Sequence, residues 1–311
     1  MVFTTIDTSL TPTASMGYQN VLNILDNAGF DIWQRGTSIN LGGGGQYATD
    51  RWNYPGVTGG AVTVSKETTI THNSVNSLKF NITNAGSATI AYLFQNVENY
   101  LDYAGRTVSL SCWVNTTMSN VRVALQNGVV QSAAHPGDGQ WHQLTVTTTL
   151  ATNITFLNAF LPIIPTGLTT GIIYVDSAML VVGSTPIEHV PTPPEVDLAR
   201  CQRYFYATPA INNAWICHGH CQNATTASCV FRFPVPMRIG PTLTVNNPTN
   251  FSLWNASGSG IALTSLVNAG AAANTDSYSL EPHVASGLVA GNTTILLTSN
   301  ANAQLFFSAD F

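Results

Sequence analysis

Short alternations of apolar and polar residues dominate this chain, and almost none of it repeats at the spacing of a helix. Successive side chains of a strand point to opposite faces, so such runs predict half-buried strands. Between residues 61 and 187 eight of them follow one another, at 61–65, 77–83, 89–97, 107–114, 121–126, 140–149, 154–161 and 171–181. Turn signals separate them, among them Asn84-Ala85-Gly86, Gln126-Asn127-Gly128 and Pro136-Gly137-Asp138-Gly139. Closely spaced strands with no helical period predict an antiparallel sandwich, and the length suits a jelly roll. After residue 207 six more strands are predicted, at 229–235, 242–245, 251–254, 277–280, 292–297 and 304–309, with Gly, Ala and Asn loops between them.

One stretch breaks the pattern. In Pro193–Tyr206 prolines stop what precedes, Glu195 and Asp197 sit where a helix begins, and Arg200 and Arg203 sit where it ends. Acids at the start and cations at the end suit the helix dipole, so about two turns of helix are predicted. The fold class is therefore all-β: an antiparallel jelly-roll sandwich, then a second, smaller β module, with a short helix between them. The division is an extended polar arm at 1–20, the sandwich at 21–192, the helical joint at 193–206 and the second module at 207–311.

Several local expectations follow. Val21–Leu25 reads as a short strand, and Gly42–Gly45 as a loop with no phosphate-binding context. Asp50-Arg51-Trp52 reads as the opening of a strand, with Asp50 and Trp52 on one side. Arg51 then needs an acid from elsewhere, and Asp26 and Asp31 are the candidates for a structural ion pair. The apolar end, Leu305–Phe311, would be hazardous as a bare edge and is expected to pair within the chain or across subunits.

Composition narrows the function. Charged residues make up 8% of the 311 positions, against about 25% in ordinary domains, so Asn, Thr, Ser and Gly must cover the surface. Ten Lys and Arg against fifteen Asp and Glu argue against a groove tracking nucleic-acid phosphates. No apolar run is long enough to span a bilayer as a helix, so no membrane insertion is expected. The first residues lack the basic and apolar regions of a signal peptide, so folding in a reducing cytosol and free thiols are expected for most of the five cysteines.

Four motifs, in order, resemble one group of proteins. Asn27-Ala28-Gly29-Phe30-Asp31-Ile32-Trp33-Gln34-Arg35-Gly36-Thr37 comes first, followed by Ala48-Thr49-Asp50-Arg51-Trp52. Leu198-Ala199-Arg200-Cys201-Gln202-Arg203-Tyr204-Phe205 and Phe233-Pro234-Val235-Pro236-Met237-Arg238-Ile239-Gly240-Pro241-Thr242 complete the set. Together they resemble a family of phage tail-fibre and virion-surface proteins, from which Ala28 and Thr49 depart. The resemblance implies a virion-surface location, a first domain like carbohydrate-binding modules, a homotrimer built on the second module, and an arm that anchors on another virion protein. It leaves two roles open: a short tail fibre or adhesin binding host-surface polysaccharide, or a head-decoration or head-fibre protein. Jelly rolls of that kind often hold a structural calcium near their first and last strands, where Asp31 and Asp176 stand.

Candidate chemistry is sparse. Alternation in 108–114 sends Val108, Leu110, Cys112 and Val114 to the core and Ser109, Ser111 and Trp113 outward. Alternation in 121–126 sends Arg122 and Gln126 away from the apolar set. If the two strands are neighbours, Trp113, Arg122 and Gln126 form one sugar-binding platform, a flat ring with polar groups around it. In Cys217-His218-Gly219-His220-Cys221 the histidines share the side opposite the cysteines, and His218 and His220 could hold an inter-subunit zinc. The acids are scattered, no Gly-x-Ser-x-Gly elbow occurs and no solenoid repeat is visible, so a glycan-cleaving enzyme ranks third and no catalytic residue is assigned.

Overall fold

The computed structural model describes residues 22–42, 45–56, 60–72, 74–87, 90–126, 128–164, 166, 168–255, 260–269 and 274–311. The polar arm expected at 1–20 lies outside the described residues. The first unit holds β1 (Ser38–Leu41), β2 (Gln46–Tyr47), β3 (Asn53–Tyr54), β4 (Ala61–Glu67), β5 (Ser77–Asn84), β6 (Ala91–Asn96), β7 (Thr107–Thr116), β8 (Arg122–Leu125), β9 (Val130–Gln131), β10 (Trp141–Thr149), β11 (Asn158–Ile164) and β12 (Gly171–Val182). They form two antiparallel six-stranded sheets, ordered β1-β4-β5-β12-β7-β10 and β2-β3-β6-β11-β8-β9. Both inner faces are apolar: Val64, Phe80, Leu110, Val114 and Val175 come from the first sheet, Leu93, Val123 and Leu161 from the second, and all are fully buried.

The helix α1 (Pro194–Gln202) follows, nine residues long with its proline in the first turn. Beyond it lie β13 (Phe205–Ala207), β14 (Trp215–Cys221), β15 (Ala227–Arg232), β16 (Thr242–Val245), β17 (Phe251–Asn255), β18 (Gly260–Asn268), β19 (Ser277–Val284), β20 (Thr293–Thr298) and β21 (Leu305–Ser308). Six of these close into a barrel, β14-β15-β19-β18-β17-β20, which leaves no sheet edge there. The other three form a sheet with β21 in the middle, so the apolar C-terminal strand is paired on both sides within the chain.

Several local expectations change. Residues 22–25 form no strand: Asn23 ties them to β12 through its side chain, donating to the Ala178 carbonyl and accepting from the Leu180 amide. Asp50–Trp52 is the turn between β2 and β3, not a strand opening. Arg51 sits at φ +72°, and the Trp52 amide donates to the Thr49 carbonyl. β18 forms where Gly and Ala suggested a loop. Its inward residues Leu263 and Leu266 are buried in the barrel, which outweighs weak local preference. Gly219 in β14 meets β15 so closely that a Cβ there would stand 2.0 Å from the Ser228 carbonyl oxygen and 2.5 Å from Cys229 Sγ.

The four motifs converge on the joint between the two units. Arg51 Nε donates to Asp26 Oδ2 at 3.0 Å, as expected for one of its two candidate acids. Its guanidinium lies 3.4 Å over the Tyr204 ring. Arg35 pairs with Asp50 at 3.6 Å and with Asp310, and stacks 3.6 Å over Phe205. Gln34 Nε2 donates to both Asp50 Oδ1 and the Phe205 carbonyl, each at 2.7 Å. Arg238 donates to the carbonyls of Ala309 and Asp310 and lies 4.3 Å over Phe311. The Asn27 amide donates to Asp197 Oδ1 of the helix at 2.9 Å. Thr49, one of the departures from the family pattern, donates its hydroxyl to the Ile32 carbonyl and accepts from Asn27 Nδ2.

Three outcomes test this account. Arg51→Ala leaves the Asp26 carboxylate with only the more distant Arg200, at 4.0 Å, and removes the stacking partner of Tyr204, so urea denaturation should show a loss of about 3 kcal/mol. Gly219→Ala should lower the melting temperature sharply, because backbone must move to admit the methyl group. Burial pushes the Glu98 carboxyl up, but hydrogen bonds from Arg203 and Tyr204 outweigh it and hold the group below the usual carboxylate range. Its stabilisation is then present above the unfolded-state pKa and lost as pH falls through the folded one. Glu98→Gln should therefore destabilise at neutral pH, and the difference in urea midpoint should vanish in acid.

Candidate functional site

The site grows from the outer face of the first sheet. Core packing takes Val108, Leu110, Cys112 and Val114 of β7 inward, all fully buried as alternation required. Trp113 and Asn115 then face out. Register extends each into a row across the sheet. Lys79, Tyr174, Asn115 and Trp141 stand side by side on β5, β12, β7 and β10. In the next outward row Asp176, Trp113 and Gln143 stand together. Lys79, Tyr174, Asn115, Trp113, Trp141 and Gln143 are all half-buried, so the face offers three aromatic rings with an ammonium and two amides among them.

Loops finish the surface. The chain after β12 folds back over its own sheet: Ser109 and Ser111 donate their hydroxyls to the carbonyls of Gly183 and Ile187 and are buried beneath it. This return brings Glu188 to Trp113, whose Nε1 donates to Glu188 Oε2 at 3.2 Å, while Gln143 Nε2 donates to Oε1 at 3.3 Å. His72 stacks on Trp113 with ring centroids 3.7 Å apart and 16° between planes, and its centroid lies 5.7 Å from that of Trp141. One face of the Trp113 ring is thus already covered, and Trp141 and Tyr174 complete the aromatic surface. Beside the rings opens a cleft of about 470 Å³, lined among others by Asp31, His72, Ser74, Ser177, Glu188 and His189. A register break in β12 between Asp176 and Met179, with Ser177 at φ +55°, turns the strand at the cleft wall.

Asp31 and Asp176 both belong to this corner, where protein donors hold one oxygen of Asp31 and both oxygens of Asp176. Asp176 is fully buried, and its Oδ2 accepts from the His72 amide at 2.6 Å and the Ser74 hydroxyl at 2.5 Å. Its Oδ1 accepts from Ser177 Oγ at 3.0 Å. These three donors take most of the roughly four lone pairs of the carboxylate, so a cation at Asp176 would compete with them. Burial pushes the Asp176 carboxyl up in spite of those donors. Asp31 Oδ1 accepts from Asn76 Nδ2 at 2.5 Å.

The expected grouping of Trp113 with Arg122 and Gln126 is not assembled. The link from β7 to β8 crosses from one sheet to the other, so side chains that point outward from the two strands leave on opposite faces of the sandwich. Arg122 Nη1 donates to the Ser132 carbonyl at 2.6 Å, on the outer face of the second sheet. Gln126 ends β8 at φ +51°, its amide bonded to the Asn158 carbonyl. Near Arg122, that second face carries Tyr92, Phe94 and Phe160, which pack on one another.

His218 and His220 do face outward from β14, while Cys217 and Cys221 are buried, as alternation required. His218 meets the Trp215 ring edge-on at 5.9 Å. All five cysteines are free. Among the described residues, the metal-type ligands that gather are instead His135, Asp138 and His142. Both ring nitrogens of His135 are already in use, Nδ1 accepting from the Gly137 amide and Nε2 facing the Gln140 carbonyl at 3.1 Å. Asp138 holds His142 Nε2 at 2.9 Å. These contacts build a tight turn and leave His135 no free lone pair for a metal.

No protein-family model matches the chain, and no curated protein matches it. Solved structures align loosely. The CBM22-1–CBM22-2 tandem domain of Xyn10C from Paenibacillus barcinonensis is 11% identical over 93% of this chain and 96% of that chain, with a TM-score of 0.35. The Stig cyclase FisC from Fischerella sp. TAU is 15% identical over 53% and 100%, with a TM-score of 0.34. A CBM4 structure is 13% identical over 51% and 99%, with a TM-score of 0.30. Overlaps this loose assign neither a ligand nor a reaction.

Asp176 supplies a two-part test. Asp176→Ala leaves the His72 amide without its acceptor, while the Ser74 hydroxyl keeps the Asn76 carbonyl, and should cost about 2 kcal/mol in urea denaturation. A chelator such as EDTA should leave the melting temperature of the unaltered protein where it is.

Proposed function

We propose that this chain is a non-enzymatic protein of the phage virion surface that binds a host-surface glycan through the outer face of its first sheet. The observation that carries the binding part is the cross-strand row Lys79–Tyr174–Asn115–Trp141 with Trp113 and Gln143 beside it. Half-exposed rings can stack on the apolar face of a pyranose, while amides and an ammonium next to them can hold its hydroxyls. The virion part is supported by the four motifs, and the joint that they build gives those residues a physical reason to occur together. The attachment by residues 1–20 to another virion protein, and assembly as a trimer, belong to the same proposal.

The reading is tested with two variants and one labelling experiment. Trp141→Ala should reduce binding to host cells at least tenfold while the urea midpoint moves little, since the ring is half-exposed. Arg122→Ala, on the opposite face, should leave cell binding intact. Normal binding by the Trp141 variant would remove the proposed surface. Immunogold on intact particles should mark the tail for an adhesin. Gold over the head would make the chain a decoration protein instead, and unlabelled particles would remove the virion reading.

A further inference from the structure

The cleft beside the aromatic row carries a charge pattern that the glycan reading does not by itself require. Two carboxylates, Asp31 and Glu188, line it and are exposed. Glu188 is aimed by its bonds from Trp113 and Gln143, and Asp31 by its bond from Asn76. A third carboxylate, Asp176, is buried behind the wall. One cationic group near these acids is Lys66, whose ammonium lies 3.4 Å from the Asp31 backbone carbonyl. Two histidines also line the cleft, and burial pushes His189 down toward its neutral form. The stacked rings of His72 and Trp113 stand at one side, with Trp141 next to them.

An ammonium group would meet favourable partners here: carboxylates accept its protons, and an indole face attracts a cation. A carboxylate ligand would meet like charges within a few ångströms and would lose its water with little return. Because Glu188 touches both Trp113 and the cleft, a sugar stacked on the aromatic row would bring its substituents to the acids.

We propose that the cleft takes an amine-bearing sugar, a glucosamine-type residue with a free ammonium, and rejects glycans built on uronic or sialic acids. This rests on the glycan reading above, and it sets the substrate class of that same site. Each sugar of such a ligand has two roles divided by position: ring stacking on Trp141 and Tyr174, and recognition of the ammonium by Glu188 and Asp31.

The test is calorimetric titration of the full chain with three probes: a glucosamine tetramer, the N-acetylated tetramer and an oligogalacturonate, in mildly acidic buffer where the amine keeps its proton. The amine tetramer should bind about tenfold tighter than the acetylated one, a difference of roughly 1.4 kcal/mol, and the uronate should not bind. Glu188→Gln should abolish that preference, and an unchanged urea midpoint shows that the variant is folded. Equal binding of the amine and acetylated tetramers, or tighter binding of the uronate, overturns the assignment. If no probe binds but host cells are still bound through Trp141, the amine assignment falls and the glycan reading stands. If cells are not bound either, both fall.

Discussion

Two guanidinium groups, Arg51 buried and Arg35 half-buried, set the terms for this molecule. Arg35 and Arg51 lie at the junction of the sandwich and the C-terminal unit, where water has little access to them. A charge in such a place must be paired and hydrogen-bonded, or the fold loses several kcal/mol. The partners come from far apart in the chain: Asp26 and Asp50 from the first unit, Tyr204 and Phe205 just after the helix, and Asp310 at the C-terminal end. None of these stretches can move without leaving a buried charge or a ring face bare. The junction therefore fixes how the helix leaves the sandwich and where the last strand ends.

This also accounts for where the few charges go. Of the ten Lys and Arg residues, Arg35, Arg51, Arg200, Arg203 and Arg238 all bond or stack within the joint. Half of the cationic side chains thus serve the joint, and much of the surface is left to hydroxyls and amides. The low charge fraction marks a chain whose ions are used for registration between units. On the outer face of the first sheet, the scarcity makes the remaining charges, Lys79 and Glu188 among them, informative.

The ligand face depends on a different constraint. Core packing decides which residues of β7, β10 and β12 point outward, and register decides which of them become neighbours. The return of residues 183–188 over the sheet then buries Ser109 and Ser111, and Glu188 anchors Trp113. A surface that would otherwise be an even field of Thr and Ser becomes a covered half and an open aromatic half, with the cleft at the boundary.

The sequence by itself determined most of the longer strands and the helix of this protein, because alternation and helix-end charges act between residues close in the chain. It also determined the inward set of β7, the need of Arg51 for an acid such as Asp26, and the outward turn of His218 and His220. Only the tertiary structure decided which strands lie side by side. Trp113 and Arg122 are nine positions apart and leave on opposite faces, because the chain changes sheets between β7 and β8. Trp113 and Trp141 belong to adjacent strands, yet two other strands and their loops separate them in sequence. Likewise Gly and Ala residues that favour a loop became β18, since closing the barrel buries Leu263 and Leu266. Alternation is a property of one strand, whereas a binding face is a property of several, and the pairing between them is set by burial on the far side of the sheet.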